Sequence, residues 1–185
     1  MTTRVTLVSA AASTALATAA FEDGHPLTPE GRAAAERAAC RLPAAGRAAA
    51  SGTVRCAETA AALGLEAAPL PALAGRDVGA WRGRTLDALA AAEPAAVSCW
   101  LAEPGFAPPG GEPLTALCAR VSGWLAGLPT GRALAVVEPD VVRAALVTAL
   151  ELPAAAFWRL DVRPLTATVL TGREGRWNAL VGSPL

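Results

Sequence analysis

The chain of 185 residues carries 16 basic and 16 acidic residues, so its formal net charge is zero at neutral pH. A surface that binds nucleic acid needs a basic excess to neutralise phosphates, and this balance argues against a nucleic-acid partner. Hydrophobic residues make up 53% of the chain, which argues against disorder and predicts a packed core, and the length fits one domain over residues 1–185.

The apolar stretches are too rich in alanine to predict a membrane span. Residues 10–20 form one of the longest, whereas a transmembrane helix needs about 20 strongly apolar residues. The amino terminus runs straight into an apparent strand, without the basic start and leucine-rich stretch of a signal peptide. We therefore expect a cytoplasmic protein with no membrane partner. The spacing of the four cysteines predicts reduced thiols and no metal site.

Strands and helices are predicted to alternate along the first half of the chain. Residues 4–8 (Arg-Val-Thr-Leu-Val) form a short β-branched run that is typical of a buried strand. A helix is predicted over residues 28–42, with threonine as its N-cap and proline at its first helical position. A second strand is predicted over residues 47–51, followed by a helix over residues 56–63 that ends at Gly64.

The second half begins with an excursion rich in proline and glycine, residues 69–111, in which short helices are predicted near residues 85–92 and 95–101. Apolar residues then recur at helical spacing over residues 114–128. The predicted elements after these are a strand over residues 133–137, a helix over 141–150 capped by Asp140, and strands over 158–162, 166–171 and 176–181.

This alternation predicts an α/β fold, a three-layer α/β/α sandwich with a mainly parallel central sheet. In such sheets ligands bind at the carboxyl ends of the strands. The residues that follow Val8, Ser51 and Val137 are therefore expected to form the functional site.

Five segments carry motifs in a consistent order along nearly the whole chain. The first is Pro-Leu-Thr-Pro-Glu-Gly at 26–31, and the second is Ser-Gly-Thr-Val-Arg at 51–55, followed by Glu-Thr-Ala at 58–60. The third runs from Leu73 to Thr85 and includes Asp77, Gly79 and Trp81. The fourth is Gly-Glu-Pro at 111–113, and the fifth runs from Val-Val at 136–137 to Arg143. Together these segments resemble the landmarks of the histidine phosphatase (phosphoglycerate-mutase-like) superfamily. The resemblance implies an enzyme that transfers phosphoryl groups through a phosphohistidine.

The residues at the family's catalytic positions differ from the motif. By alignment, Ser9 stands where the family has a phosphate-binding arginine and Ala10 where it has the nucleophilic histidine. Glu138 stands at the second histidine and Pro139 at the following glycine. Alanine has no lone pair with which to form a phosphohistidine, and proline has no N–H to offer an anion.

Arg55 is the one pocket arginine that the resemblance retains. It could contact a ligand or pair with Glu138, and we favour the pair because an uncompensated buried carboxylate would be costly. Glu112 matches the family's proton donor, although it could equally be an acidic residue favoured at the start of the following helix.

Two serines near the end of the first strand, Ser9 and Ser13, are conceivable nucleophiles. A serine needs a base, and the only imidazole is that of His25, which we interpret as an exposed loop residue.

Three functions therefore remain open. The first, which we favour, is a catalytically degenerate domain that binds a small molecule or a protein partner, without a cofactor or metal, through the residues around Ser9, Ala10, Ser13, Arg55, Glu112 and Glu138. The second is an enzyme of altered chemistry that uses Glu112 and Glu138 as an acid/base pair or as ligands of a divalent metal. The third is a weak phosphatase in which one of these carboxylates activates water. The first two functions are distinguished by whether the carboxylates of Glu112 and Glu138 converge on an open cavity or are neutralised.

Overall fold

The computed structural model describes residues 2–22, 24–173 and 175–185. In this part of the chain, six strands form one sheet in the order β3-β2-β4-β1-β5-β6. The strands are β1 Thr3–Ser9, β2 Arg47–Ala50, β3 Ala68–Pro69, β4 Gly131–Val137, β5 Thr166–Arg173 and β6 Arg176–Pro184. Strands β1 to β4 pair in parallel, β5 is added antiparallel to β1, and β6 is added antiparallel to β5.

The described α-helices are α1 Thr14–Ala17, α2 Pro29–Ala38, α3 Val54–Ala62, α4 Leu86–Ala92, α5 Pro94–Ala102, α6 Leu114–Ala126 and α7 Pro139–Ala149. Short 3-10 turns cover Ala39–Arg41, Pro71–Leu73, Gly79–Trp81 and Ala154–Arg159. No described helix has the length and apolar character needed to cross a membrane.

Strand β1 shows how the sheet forms the middle layer. Val5 and Leu7 are completely buried in a core shared with α6 and α7, whereas Val8 is buried in a second core shared with α2 and α3. This alternation follows from the two-residue period of a strand, and a run of apolar residues can therefore supply both cores. The predicted three-layer α/β/α sandwich with a mainly parallel sheet is confirmed.

A third apolar cluster lies in the excursion between β3 and α6. Trp81 is completely buried there with Leu89, and Trp100 is 7% exposed. The rings of Trp81 and Trp100 meet edge to face, with centroids 5.7 Å apart. The proline-rich excursion is therefore an ordered part of the fold, as the sequence predicts, and it forms one wall of the site described below.

The predicted strand over residues 158–162 is wrong. The chain there leaves the 3-10 turn Ala154–Arg159 and continues without regular structure. Phe157 is completely buried against the α6–α7 core, and the Leu160 carbonyl accepts a hydrogen bond from Arg143 Nε at 2.8 Å instead of from a strand. Pro164 lacks the N–H that a strand ladder requires.

The predicted cap of the last helix is also wrong. Helix α7 begins at Pro139, two residues earlier than expected, and Glu138 occupies the N-cap position without capping through its side chain. The fixed φ of proline favours the first helical position, so Asp140 lies inside the first turn, where the helix dipole favours its charge.

Candidate functional site

Two neighbouring strands, β2 and β4, deliver the central residues of the site. Glu138 directly follows β4. Thr53 follows β2 and caps α3, accepting from the backbone N–H of Cys56, which places Arg55 in the first turn of that helix. Because β2 and β4 are parallel, their carboxyl ends lie side by side and bring Arg55 and Glu138 together.

The side chains of Arg55 and Glu138 form a buried, bidentate ion pair. Arg55 Nε donates to Glu138 Oε1 at 3.0 Å and Nη2 donates to Oε2, and Thr53 Oγ1 donates to the same Oε1 at 2.6 Å. Arg55 is 8% exposed and Glu138 is 5% exposed. Burial alone lowers the pKa of Arg55, but its hydrogen bond to Glu138 and that group's charge raise the pKa overall. The pair that we favoured from the sequence is present.

A second carboxylate lies beside the same guanidinium. Glu22 Oε2 is 3.2 Å from Arg55 Nε, although this oxygen is buried and has no hydrogen-bond partner among the described residues. The charge of Arg55 is therefore shared between two carboxylates. Next to it, burial raises the pKa of the Cys56 thiol, and the negative charge of Glu138 raises it further, so this cysteine stays a protonated thiol.

The residues after β1 are enclosed by backbone. Ser9 is completely buried, and its hydroxyl donates to the Arg163 carbonyl at 2.5 Å and accepts from the Thr166 N–H at 3.1 Å. Ala10 is 3% exposed and its N–H donates to the Val137 carbonyl at 3.1 Å. The buried Ser13 hydroxyl has no hydrogen-bond partner in the described part of the chain. None of these three residues lines the cavity described below.

Glu112 does not converge with Glu138. Its carboxylate is held by Arg120, whose Nε donates to Oε1 at 2.8 Å and whose Nη2 donates to Oε2 at 2.9 Å. Glu112 is not one of the residues that line the cavity beside Glu138. In the described ranges, no group of three or more histidine, cysteine, aspartate or glutamate side chains is arranged to hold a metal ion. The two candidate carboxylates thus lie in separate ion pairs.

A cavity of about 610 Å³ opens beside the Arg55–Glu138 pair. Its wall includes Gly52 and Thr53 after β2, Glu138 after β4, and residues of the excursion and of the segment after α7. Its charged lining residues are Glu22, Arg55, Arg76, Arg82, Glu138, Asp140, Arg143 and Asp161, and its aromatic lining residues are Phe21, Trp100 and Trp158. This position, at the carboxyl end of the sheet, is where ligands of α/β folds bind.

Gly75 lets Glu138 occupy this position. A Cβ added at Gly75 would lie 2.9 Å from Glu138 Cγ, which is closer than side-chain atoms pack. The glycine therefore leaves the space in which the Glu138 side chain reaches Arg55.

The site contains residues that sequence reasoning missed. Arg76 is 6% exposed, and its guanidinium donates from Nε to the Glu112 carbonyl at 3.0 Å and from Nη2 to the Phe106 carbonyl at 3.3 Å. The available signal was its position next to Asp77, within the segment from Leu73 to Thr85 that resembles a family motif. Glu22 carried no comparable signal, because its neighbours in sequence give no indication of Arg55.

Comparison with known proteins is consistent with this architecture. Solved structures that superpose on the chain include a mycobacterial glucosyl-3-phosphoglycerate phosphatase (22% identity, TM-score 0.87, 100% of each chain covered). Another is a putative alpha-ribazole-5'-P phosphatase from Escherichia coli (20% identity, TM-score 0.87, 98% of this chain and 96% of that chain). A third is the protein TTHB049 from Thermus thermophilus (29% identity, TM-score 0.80, 98% of this chain and 99% of that chain).

No curated protein matches the chain. The sequence profile of the histidine phosphatase superfamily (branch 1) matches residues 14–182, nearly the whole chain. Together with the fold, this match shows that the chain belongs to the histidine phosphatase superfamily, branch 1.

Proposed function

We propose that this domain does not transfer phosphoryl groups through histidine and acts instead by binding a small molecule or a protein partner at the carboxyl end of its sheet. The observation that carries the proposal is the buried Arg55–Glu138 pair. The one arginine retained from the family's phosphate pocket is bound by a carboxylate of the protein itself. An incoming phosphate would have to compete with that internal anion and with Glu22 beside it.

The residue at the family's nucleophile position also supports the proposal. Ala10 aligns with the family's nucleophilic histidine and has no lone pair to attack phosphorus. The only histidine of the chain, His25, is exposed and is not a lining residue of the cavity. The hydroxyl of Ser9 is committed to backbone partners, so it is not poised as a replacement.

The alternative is an enzyme with altered chemistry, in which Glu112 or Glu138 activates water against a phosphate ester. What favours it is the phosphatase activity named for structural neighbours. Against it, Arg120 binds one carboxylate and Arg55 the other, so both carboxylates are already held by hydrogen bonds from arginine and are not free to orient a water molecule.

Phosphoenzyme trapping tests the proposal. The protein is incubated briefly with a radiolabelled phosphodonor and quenched in alkali, which preserves phosphohistidine, beside a superfamily member that retains both histidines. We expect label on the control protein and none on this chain, with little hydrolysis of generic phosphate esters. Labelled protein would contradict the proposal. Robust turnover that is lost in Glu112→Gln or Glu138→Gln would instead establish the alternative.

A further inference from the structure

The charges that line the cavity are almost all paired with one another or with neighbours. Arg55 is paired with Glu138 and Glu22. Arg82 Nη2 is 2.9 Å from Asp77 Oδ1, and Arg143 Nη1 is 3.2 Å from Asp140 Oδ1. The remaining lining arginine is Arg76. In the described part of the chain it has no carboxylate oxygen within ion-pair distance, and its Nε and Nη2 donate to the carbonyls of Glu112 and Phe106.

Arg76 also has an unused donor. Its Nη1 is buried without a hydrogen-bond partner, and so is the indole Nε1 of Trp100. The two groups are neighbours, since the Arg76 guanidinium carbon lies 5.2 Å from the centre of the Trp100 ring. Of the four buried side-chain polar atoms without a partner in the described residues, three belong to residues that line this cavity. A buried donor without an acceptor is costly, and the two donors together call for an oxygen acceptor.

Burial makes the isolated charge costly as well. Desolvation lowers the pKa of Arg76, and the charges of Asp140 and Glu112 oppose that shift without cancelling it. Neither of these carboxylates is within ion-pair distance of it. A ligand that brings its own negative charge to Arg76 would recover the energy lost in burying the guanidinium.

The aromatic part of the cavity wall suits the apolar part of a ligand. The Phe21 and Trp100 rings meet edge to face with centroids 5.5 Å apart, and Trp100 and Trp158 have centroids 4.3 Å apart. The aromatic wall therefore continues directly from Arg76, which lies over both tryptophans. A volume of about 610 Å³ accommodates a small organic molecule.

We propose that this cavity binds a small organic carboxylate with an aromatic or aliphatic body, in which Arg76 is the counter-ion of the carboxylate and Trp100 and Trp158 contact the body. This inference rests on the proposed function and names the ligand class of the same cavity. One arginine without a carboxylate partner among the described residues matches a single negative charge on a ligand. A phosphate dianion would carry one charge more than Arg76 can neutralise, and Asp140 and Glu138, which also line the cavity, would repel it.

The test uses a panel of monocarboxylates, each paired with its neutral amide. Phenylacetate, indole-3-acetate, benzoate and hexanoate, their amides, phenyl phosphate and inorganic phosphate are titrated into the protein by calorimetry and by tryptophan fluorescence. We expect at least one carboxylate to bind about tenfold or more tightly than its amide, and phenyl phosphate to bind more weakly than that carboxylate. If no carboxylate binds more tightly than its amide, the inference is wrong.

An Arg76→Met variant assigns the preference to Arg76. It should bind the acid and its amide equally well, because the charge that distinguishes them is gone. General damage to the cavity would weaken both ligands in parallel and leave their ratio unchanged, and that result would overturn the role of Arg76. An Arg120→Met variant is the matched control, because Arg120 also tethers the excursion, through the carbonyls of Ala72 and Gly75, but does not line the cavity. It should keep the preference for the acid.

An Arg76→Lys variant replaces Arg76→Met if the latter fails to fold. It keeps the charge but loses the planar fork, so it should retain a reduced preference for the acid. A complete loss of that preference would count against a charge contact.

The phosphoenzyme assay is independent of these titrations. Lack of carboxylate binding by an unlabelled protein refutes this inference alone, whereas labelled protein refutes the proposed function.

Discussion

The guanidinium of Arg55 and the carboxylate of Glu138 lie against each other at the carboxyl ends of two neighbouring strands, with Nε donating to Oε1 at 3.0 Å and Nη2 to Oε2. Both side chains are nearly excluded from solvent. Each charge therefore depends on the other for compensation, and removing one leaves the other buried and unpaired. We expect the pair to contribute to stability and to reduce the affinity of the cavity for phosphate.

A double-mutant cycle tests the contribution to stability. We expect Glu138→Gln and Arg55→Met each to lower the free energy of unfolding by about 3 kcal/mol, because each leaves a buried charge without its partner. The double variant should be less destabilised than the sum by about 1 kcal/mol or more. Urea denaturation measures all three. The control is the same cycle on the exposed pair of Arg82 and Asp77, which should show a coupling below about 1 kcal/mol. Additive effects at Arg55 and Glu138 would contradict the account.

The Arg55–Glu138 pair is predicted to require a glycine at position 75. A Gly75→Ala substitution places a methyl group against Glu138 Cγ and should destabilise the protein by about 1–3 kcal/mol through overpacking. Glu138→Ala in the same chain should remove the added cost, because the clashing atom is gone. The control is Gly123→Ala in α6, where no neighbouring atom is within 4 Å, and this change should stabilise by about 0.5–1 kcal/mol. Thermal unfolding that ranks the two glycine variants equally would argue against the contact.

The carboxyl group of Asp140 is predicted to make stability depend on pH. Desolvation raises its pKa in the folded protein above the ordinary value of 3.8. Between these two values the folded protein holds a proton that the unfolded chain has released, so stability falls as pH rises through this range. An Asp140→Asn variant cannot ionise and should gain stability relative to the unmodified protein on going from pH 3.5 to pH 7.

The size of this effect is limited by solvent, because 34% of the Asp140 side chain remains exposed. Denaturation of both proteins at several pH values measures the difference. An Asp161→Asn variant is the control for loss of a carboxylate from the surface, since that side chain is 83% exposed. A difference between Asp140→Asn and the unmodified protein that is constant over pH would show that Asp140 titrates normally.

The sequence was sufficient to predict the layers of the fold, because strand and helix periodicities are local. The predicted strands over residues 4–8 and 133–137 are present, and residues 5–8 and 134–137 are buried in them. The segment 158–162 alternates apolar and charged residues, a pattern that also favours a strand. It is not a strand in the structure, because Phe157 packs in the α6–α7 core and Arg143 donates a hydrogen bond to the Leu160 carbonyl. Both contacts join residues that are far apart in the sequence.

The site was predictable only where strand ends bring residues together. Arg55 and Glu138 each follow a parallel strand by a few residues, so topology alone makes them neighbours. The sequence does not indicate that Arg120 binds Glu112, since several arginines could reach that carboxylate. Nor does it indicate that Arg76 lies over two tryptophans from different elements. Those contacts depend on how the excursion folds back onto the sheet.

The most direct test of the account is a calorimetric titration of inorganic phosphate into the unmodified protein and into Glu138→Gln. If Glu138 neutralises Arg55, phosphate should bind weakly to the unmodified protein and at least about fivefold more tightly to the variant, because a negative charge is removed and the guanidinium is released. Glu112→Gln should leave phosphate binding unchanged, since that carboxylate is held by Arg120 away from the cavity lining. Tight phosphate binding to the unmodified protein that Glu138→Gln does not alter would contradict the account.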